Sequence, residues 1–292
     1  MNRSTFAEMT KGHVVILDGA TGSNLMMMGM PKNVCTEAWL LDHPELVIEL
    51  QKQYKEAGSR FIYAPTFSAN RISLEKHGLS DKVEYLNAKL AEVTRKAVGS
   101  DCCVVGDLTT TGELLEPIGE LEEEELFEAY REQAAALCKG GVDAFVAETL
   151  MDVKEAVLAL KACRDVAPDL PFMATLTVME SGHAFYGGTA QELIRQMQEL
   201  DADAAGINCS FGPDKLKAIT ASMTEIARIP VIVKPNAGLP ETNAAGETFY
   251  SMKPETFVDQ MQELVDLGAG MIGGCCGTTP AFIRLLAERL AR

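Results

Sequence analysis

Short apolar runs alternate with longer segments of helical period along this chain. The runs occupy 14–17, 60–64, 102–105, 144–147, 172–178, 205–208, 230–234 and 270–272. Each is brief and nearly continuous in apolar character, as expected of a strand buried on both faces of a parallel sheet. Between them the period changes. Segment 44–57 sets Leu46, Val47, Leu50 and Tyr54 along one face, and 79–98 does the same with Val83, Leu86, Leu90 and Val93. Segments 120–139, 151–164, 189–200, 213–228, 253–267 and 280–290 predict further helices. The first of these opens on a run of glutamates suited to a helix N-terminus, and Thr279-Pro280 punctuates the start of the last.

Eight strands, each followed by a helix, predict an α/β fold: a (β/α)8 TIM barrel forming a single domain over residues 1–292. The rival is an open doubly wound sheet, which carries fewer strands and a glycine-rich dinucleotide loop after the first. Here Asp18-Gly19-Ala20-Thr21-Gly22-Ser23 follows the first strand, and its Gly-x-x-Gly falls short of that fingerprint. Segment 236–246 reads as a loop after the seventh strand.

In such a barrel the chemistry gathers at the C-terminal ends of the strands. Those ends are Asp18-Gly19, Pro65-Thr66-Phe67, Gly106-Asp107, Glu148-Thr149, Asn208-Cys209-Ser210, Lys234-Pro235-Asn236 and Cys275-Cys276, with Thr175 and Thr177 on the fifth strand. An adjacent cysteine pair offers a soft metal only two ligands. Cys209, on the same rim and one strand removed, supplies a third. Three thiolates with one open position fit a catalytic zinc, although residue type alone leaves iron and cobalt open. Cys102, Cys103, Cys138 and Cys163 read as core or surface thiols, while Cys35 sits in a loop that can approach the rim.

Asp18 and Glu148, with Asn208 and Asn236, suit an amino acid's ammonium group. Backbone N–H groups of the Gly19–Ser23 loop would suit its carboxylate. The bland alternatives are an Asx-type hydrogen bond for Asp18 and a helix cap for Glu148. Among the histidines, only His183 lies in a loop near the rim.

Composition narrows the surroundings. The chain carries 42 acidic and 26 basic residues, a formal charge of -16, which argues against a nucleic-acid partner. No apolar stretch reaches transmembrane length, and the N-terminus lacks a signal-peptide core. The 8 cysteines are too sparse for a disulfide scaffold. A cytoplasmic, reducing location with free or metal-bound thiols is the expectation.

Taken together, Leu17-Asp18-Gly19-Ala20-Thr21-Gly22, Pro65-Thr66-Phe67, Glu148-Thr149, Gly206-Ile207-Asn208-Cys209 and Gly273-Gly274-Cys275-Cys276-Gly277-Thr278-Thr279-Pro280 resemble the zinc-dependent homocysteine S-methyltransferase family. Within it the chain looks most like the homocysteine-binding module of cobalamin-dependent methionine synthase. The resemblance implies one Zn2+ on Cys209, Cys275 and Cys276, with the sulfur of L-homocysteine taking the open position to become methionine. It implies that Asp18 and Glu148 meet the substrate's amino group or its surroundings. Gly19, Ala20 and Thr66 would help seat the substrate, with Asn236 beside them. It also implies a methyl donor, first of all methylcobalamin on a separate corrinoid protein or domain. S-methylmethionine or S-adenosylmethionine comes next, and betaine last, with Trp39, Tyr63 and Phe67 as candidates for an aromatic cage. Methyl transfer to another thiol, and a non-catalytic metal-binding or corrinoid-docking role, are the remaining readings.

Overall fold

The computed structural model describes residues 1–243 and 248–291. Its main sheet has eight parallel strands: β1 (Val15–Ile16), β2 (Phe61–Tyr63), β3 (Cys103–Leu108), β4 (Ala144–Leu150), β5 (Phe172–Leu176), β6 (Ala204–Cys209), β7 (Val231–Pro235) and β8 (Met271–Ile272). Hydrogen bonding runs in the order β1-β8-β7-β6-β5-β4-β3-β2. A parallel bridge from Leu17 to Phe61 then joins β1 back to β2, so the sheet closes into a (β/α)8 barrel. Every apolar run read from the sequence is a barrel strand.

The helices pack outside. Segments 44–57, 79–98 and 253–267 appear as Pro44–Glu56, Val83–Val98 and Pro254–Asp266. Segment 213–228 is less regular than its pattern suggests: a 3-10 turn at Pro213–Lys215 precedes a helix at Lys217–Thr224. Four short helices carry too few apolar positions to show a period: Arg3–Thr10, Gly22–Met27, Thr36–Asp42 and Arg71–Glu75. The first is capped by Asn2, whose side chain accepts from Thr5 N. Loop 236–246 includes Glu241–Thr242, which forms a two-stranded antiparallel ribbon with Thr248–Phe249. Residues 244–246 of that loop lie outside the described residues. Among the described residues, no helix is long and apolar enough to cross a membrane.

The core has two layers of different origin. A large apolar cluster lies between the strands and the surrounding helices. A second fills the barrel itself: Val15, Leu17, Phe61, Tyr63, Val105, Ala144, Val146, Met173, Ala204, Ile232 and Met271, plugged from the N-terminal helix by Phe6. Phe6 stacks edge-on against Phe61 with ring centroids 5.7 Å apart. Side chains on one face of a strand recur every second residue. The inward-facing Val105, Val146 and Ile232 are therefore followed, two positions on, by Asp107, Glu148 and Lys234. The barrel is apolar below and charged above, and that change of character marks its functional end.

Candidate metal and substrate site

Cys209 ends β6, and Cys275 and Cys276 lie just beyond β8. The three sulfurs lie within 4.8 Å of one another, and the Cys209–Cys276 sulfurs are 3.9 Å apart. Tetrahedral zinc–thiolate bonds of about 2.3 Å place two sulfurs about 3.8 Å apart, so the Cys209–Cys276 spacing matches two thiolates on one zinc, with Cys275 close by as the third. Local backbone makes this possible. Cys209 and Ser210 both adopt left-handed conformations, with φ of 57° and 63°. Such strain in residues other than glycine is held only where the surroundings over-determine it. Gly277 has φ of 82°, and a Cβ there would lie 2.2 Å from the ring of Tyr250. This position requires glycine on both counts.

Hydrogen bonds around the sulfurs fix their directions. Asn208 is fully buried; its Oδ1 accepts from Thr149 N and Thr175 Oγ1, each at 2.8 Å. Its Nδ2 donates to Thr149 Oγ1 at 2.7 Å and faces Cys275 Sγ at 3.9 Å. Asn236 hydrogen-bonds Cys209, and Tyr250 hydrogen-bonds Cys276. The crowded thiols ionise unequally. Hydrogen bonds from Cys209 and then Cys275 lower Cys276 to about 3, while bonds to Cys209 and Cys276 raise Cys275. Cys209 is raised to about 12: a bond with Cys275 lowers it, but the bond to Cys276 and burial prevail. The crowding thus favours ionisation of Cys276 over that of its two neighbours. A divalent soft cation supplies the charge that lets the other two follow.

The sulfurs open onto a cavity of about 270 Å³, also lined by Asp18, Gly19, Ala20, Asp107, Glu148 and Lys234. Asp18 Oδ2 accepts from Tyr63 N at 2.8 Å, and its Oδ1 meets Lys234 Nζ at 3.0 Å. Lys234 Nζ also lies 3.6 Å from Glu148 Oε2 and 3.6 Å from the centroid of the Tyr63 ring. Burial alone would lower the Lys234 ammonium; the charges of Asp18 and then Glu148 outweigh it and hold the group well above its ordinary value. Burial raises Glu148, against the opposing pull of Lys234. Asp107 is raised well above the carboxylate range, first by burial and then by the charge of Glu148. Its Oδ1 and Glu148 Oε2 have no hydrogen-bond partner.

The other sequence-predicted residues take different places. Thr66 is fully buried behind the cavity, its hydroxyl donating to Asp107 O at 2.9 Å. Asn208 and Asn236 stand behind the sulfurs. Gly19 lies against Tyr54, whose hydroxyl would sit 2.7 Å from a Cβ there, and Ala20 N donates to Thr278 Oγ1 at 3.1 Å. Asp18 makes no Asx turn, and Asp152 rather than Glu148 caps the helix after β4. His183 pairs with Ser181 in its own loop. Trp39 packs on His43, centroids 4.4 Å apart, whereas Phe67 lines the cavity. Cys102 bonds Ser59 O, and Cys163 is buried in its helix. Cys35 faces Glu37 in an adjoining cavity of about 370 Å³.

Sequence reasoning gave no role to Lys234, Asp107 or Tyr250. Lys234 did carry a signal: a lysine inside the apolar run 231–234 has to be paired if the run is a buried strand. Tyr250 carried none, because a loop residue's approach to Cys276 depends on the path of the whole 236–253 segment. A larger groove, of about 1000 Å³, opens at the opposite end beside Arg3 and Asp201. It lies on the face that barrels use for stability, away from the strand C-termini.

Fold and site together define a (β/α)8 barrel with a three-thiolate zinc centre at the C-terminal ends of β6 and β8. The family model described as homocysteine S-methyltransferase matches residues 15–290, and the chain belongs to that family. Similar relatives include methionine synthases of Mycobacterium leprae (29% identical over 96% of this chain) and Mycobacterium tuberculosis (30% over 95%). The chain spans only 24% and 25% of those two proteins. Among solved structures, the metallated form of the homocysteine methyltransferase MmuM from Escherichia coli superposes with a TM-score of 0.81 at 23% identity, covering 97% of this chain and 98% of that one. At that identity the likeness speaks for the shared fold.

Proposed function

We propose that this protein transfers a methyl group to the thiol of homocysteine, giving methionine. The observation that carries the reading is the cluster of Cys209, Cys275 and Cys276 opening onto a cavity that also holds carboxyl groups. A thiol with an ordinary pKa of about 8.5 is mostly protonated at neutral pH, and bound zinc supplies the chemistry that favours its thiolate. The chain's own residues do the rest. Asn208, Asn236 and Tyr250 orient the protein sulfurs, leaving the fourth direction toward the cavity. Asp18, Glu148 and Lys234 form a charged wall against which the acceptor's polar end is oriented, and the apolar layer below closes the floor to water.

For the donor, the alternative to a corrinoid has the better support. The likeness to the Escherichia coli homocysteine methyltransferase MmuM supports this choice. The adjoining cavity shares Thr36, Glu37, Phe67, Ser68 and Thr149 with the first, giving a small donor room beside the acceptor. We therefore favour a small sulfonium compound such as S-methylmethionine or S-adenosylmethionine. The donor's methyl–sulfur bond breaks with its electron pair left on the donor, and the acceptor thiol's proton passes to solvent. A donor panel with homocysteine, run with and without a corrinoid protein, tests this. Methionine formed from a sulfonium donor alone is the expected result; methionine formed only with methylcobalamin would reverse the choice. Cys209→Ala and Cys276→Ala are expected to lose both zinc and activity, and retention of both by either variant would refute the ligand assignment.

A further inference from the structure

Asp18, Glu37, Asp107 and Glu148 all line the acceptor cavity and all are buried, yet the chain engages them unequally. Both oxygens of Asp18 are taken, one by Lys234 Nζ at 3.0 Å and the other by Tyr63 N at 2.8 Å. Glu37 accepts from Ser68 N at 2.8 Å and faces Cys35 Sγ at 3.5 Å. Asp107 Oδ1 and Glu148 Oε2, by contrast, have no hydrogen-bond partner. Lys234 Nζ stands 3.6 Å from that Glu148 oxygen, beyond hydrogen-bond reach. The two carboxyls are neighbours by strand register. Asp107 on β3 lies opposite Val146 on β4, and Glu148 follows two residues on, facing the same interior. The main chain of Asp107 is pinned by Thr66, whose Oγ1 accepts from its N–H at 3.2 Å and donates to its carbonyl at 2.9 Å. A buried carboxyl oxygen left unmatched costs free energy until a donor reaches it. An ammonium carries three N–H donors and a positive charge, so one such group can serve both oxygens.

We propose that Asp107 is an acceptor-binding residue: beside Glu148 it receives the α-ammonium of an amino-acid thiol, and so makes the site select such thiols over those that lack the group. This rests on the methyl-transfer reading above and assigns a specificity-determining role to a β3 side chain of the same site. The electrostatics of the cavity agree. Burial first, and then the charge of Glu148, displaces Asp107 toward its neutral form; Lys234 opposes this, while Asp18 and Glu37 add to it. An ammonium arriving beside Asp107 tips the balance the other way. The carboxyl proton then passes to solvent, and the carboxylate pairs with the acceptor. Lys234 already answers the charge of Asp18, so Asp107 and Glu148 are left to answer the substrate's.

Calorimetric titration of the zinc-loaded protein with homocysteine and with 4-sulfanylbutanoate, donor absent and reductant present, provides the test. The two thiols share a carboxylate and differ only in the ammonium. Wild type is expected to bind homocysteine at least about tenfold more tightly. Asp107→Asn keeps the shape and removes the charge. It is expected to weaken homocysteine by about tenfold or more while leaving 4-sulfanylbutanoate within about threefold. Equal weakening of both thiols would mean a merely structural role, and an unchanged ratio no role at all; either overturns the proposal. Circular dichroism and zinc stoichiometry check that the variant is folded and loaded, and Asp107→Ser is read in the same way if it is not. Equal affinities in wild type would overturn the proposal without any variant and leave methyl transfer standing. Binding of neither thiol, together with no methylated product from either acceptor across the donor panel, would sink both readings.

Discussion

Asp107 shows how one inward position on β3 can set the protein's response to pH. Its carboxyl is buried, has one unpartnered oxygen and is held well above the ordinary range of about 3.9. In the unfolded chain the same group ionises near that ordinary value. Above it the folded state retains a proton that the unfolded state has released, so this group's contribution to stability falls as pH rises toward the folded-state pKa. Asp107→Asn removes the difference. Urea unfolding of the two proteins between pH 4 and pH 8 is expected to show the variant gaining on wild type as pH increases. A gap that is constant with pH would show that Asp107 is charged in the folded protein.

At the scale of elements, the site depends on how strands end. Cys209, Ser210 and Thr149 turn left-handed just where β6 and β4 stop, and Asn208 ties those two ends together through Thr149. Gly277 makes the matching turn after Cys276 and leaves room for Tyr250. Gly277→Ala is expected to cost about 1–3 kcal/mol by forcing a strained backbone and displacing the tyrosine. Chelator competition should also show weaker zinc retention; unaltered retention would mean that Tyr250 does not steady Cys276. This is also where the sequence was most and least informative. Strand identity was legible because apolar runs such as 144–147 and 230–234 are buried on both faces. The rim assignments of Cys209, Cys275 and Cys276 then followed from strand order alone. The charged wall was not legible as a wall: pairing Lys234 with Asp18 joins residues 216 positions apart, and only barrel closure brings them together. The short helices escaped notice because segments of five to eight residues hold too few apolar positions to reveal a period.

Across the whole molecule, the two ends of the barrel divide stability from chemistry. Phe6 closes the lower end from a helix that precedes the first strand, 1% exposed and packed on Phe61. Phe6→Ala should cost about 3–5 kcal/mol in urea unfolding while leaving zinc stoichiometry unchanged in the protein that remains folded. Loss of zinc in parallel with stability would mean that the two ends are coupled.

The bridge between Leu17 and Phe61 has one more consequence. β1 and β8 are two residues long, and the ring closes through them, so the barrel's hoop is thinnest beside the cysteine pair. A cation gripping Cys209 together with Cys275 and Cys276 would act as a buckle, fastening β6 to β8 over the intervening β7 next to that thin arc. Stripping the metal should therefore quicken amide exchange along β1, β8 and the segment after β6, while β3 to β5, joined by longer ladders, keep their protection. Uniform exchange around the ring after metal removal would show that the hoop holds without its buckle.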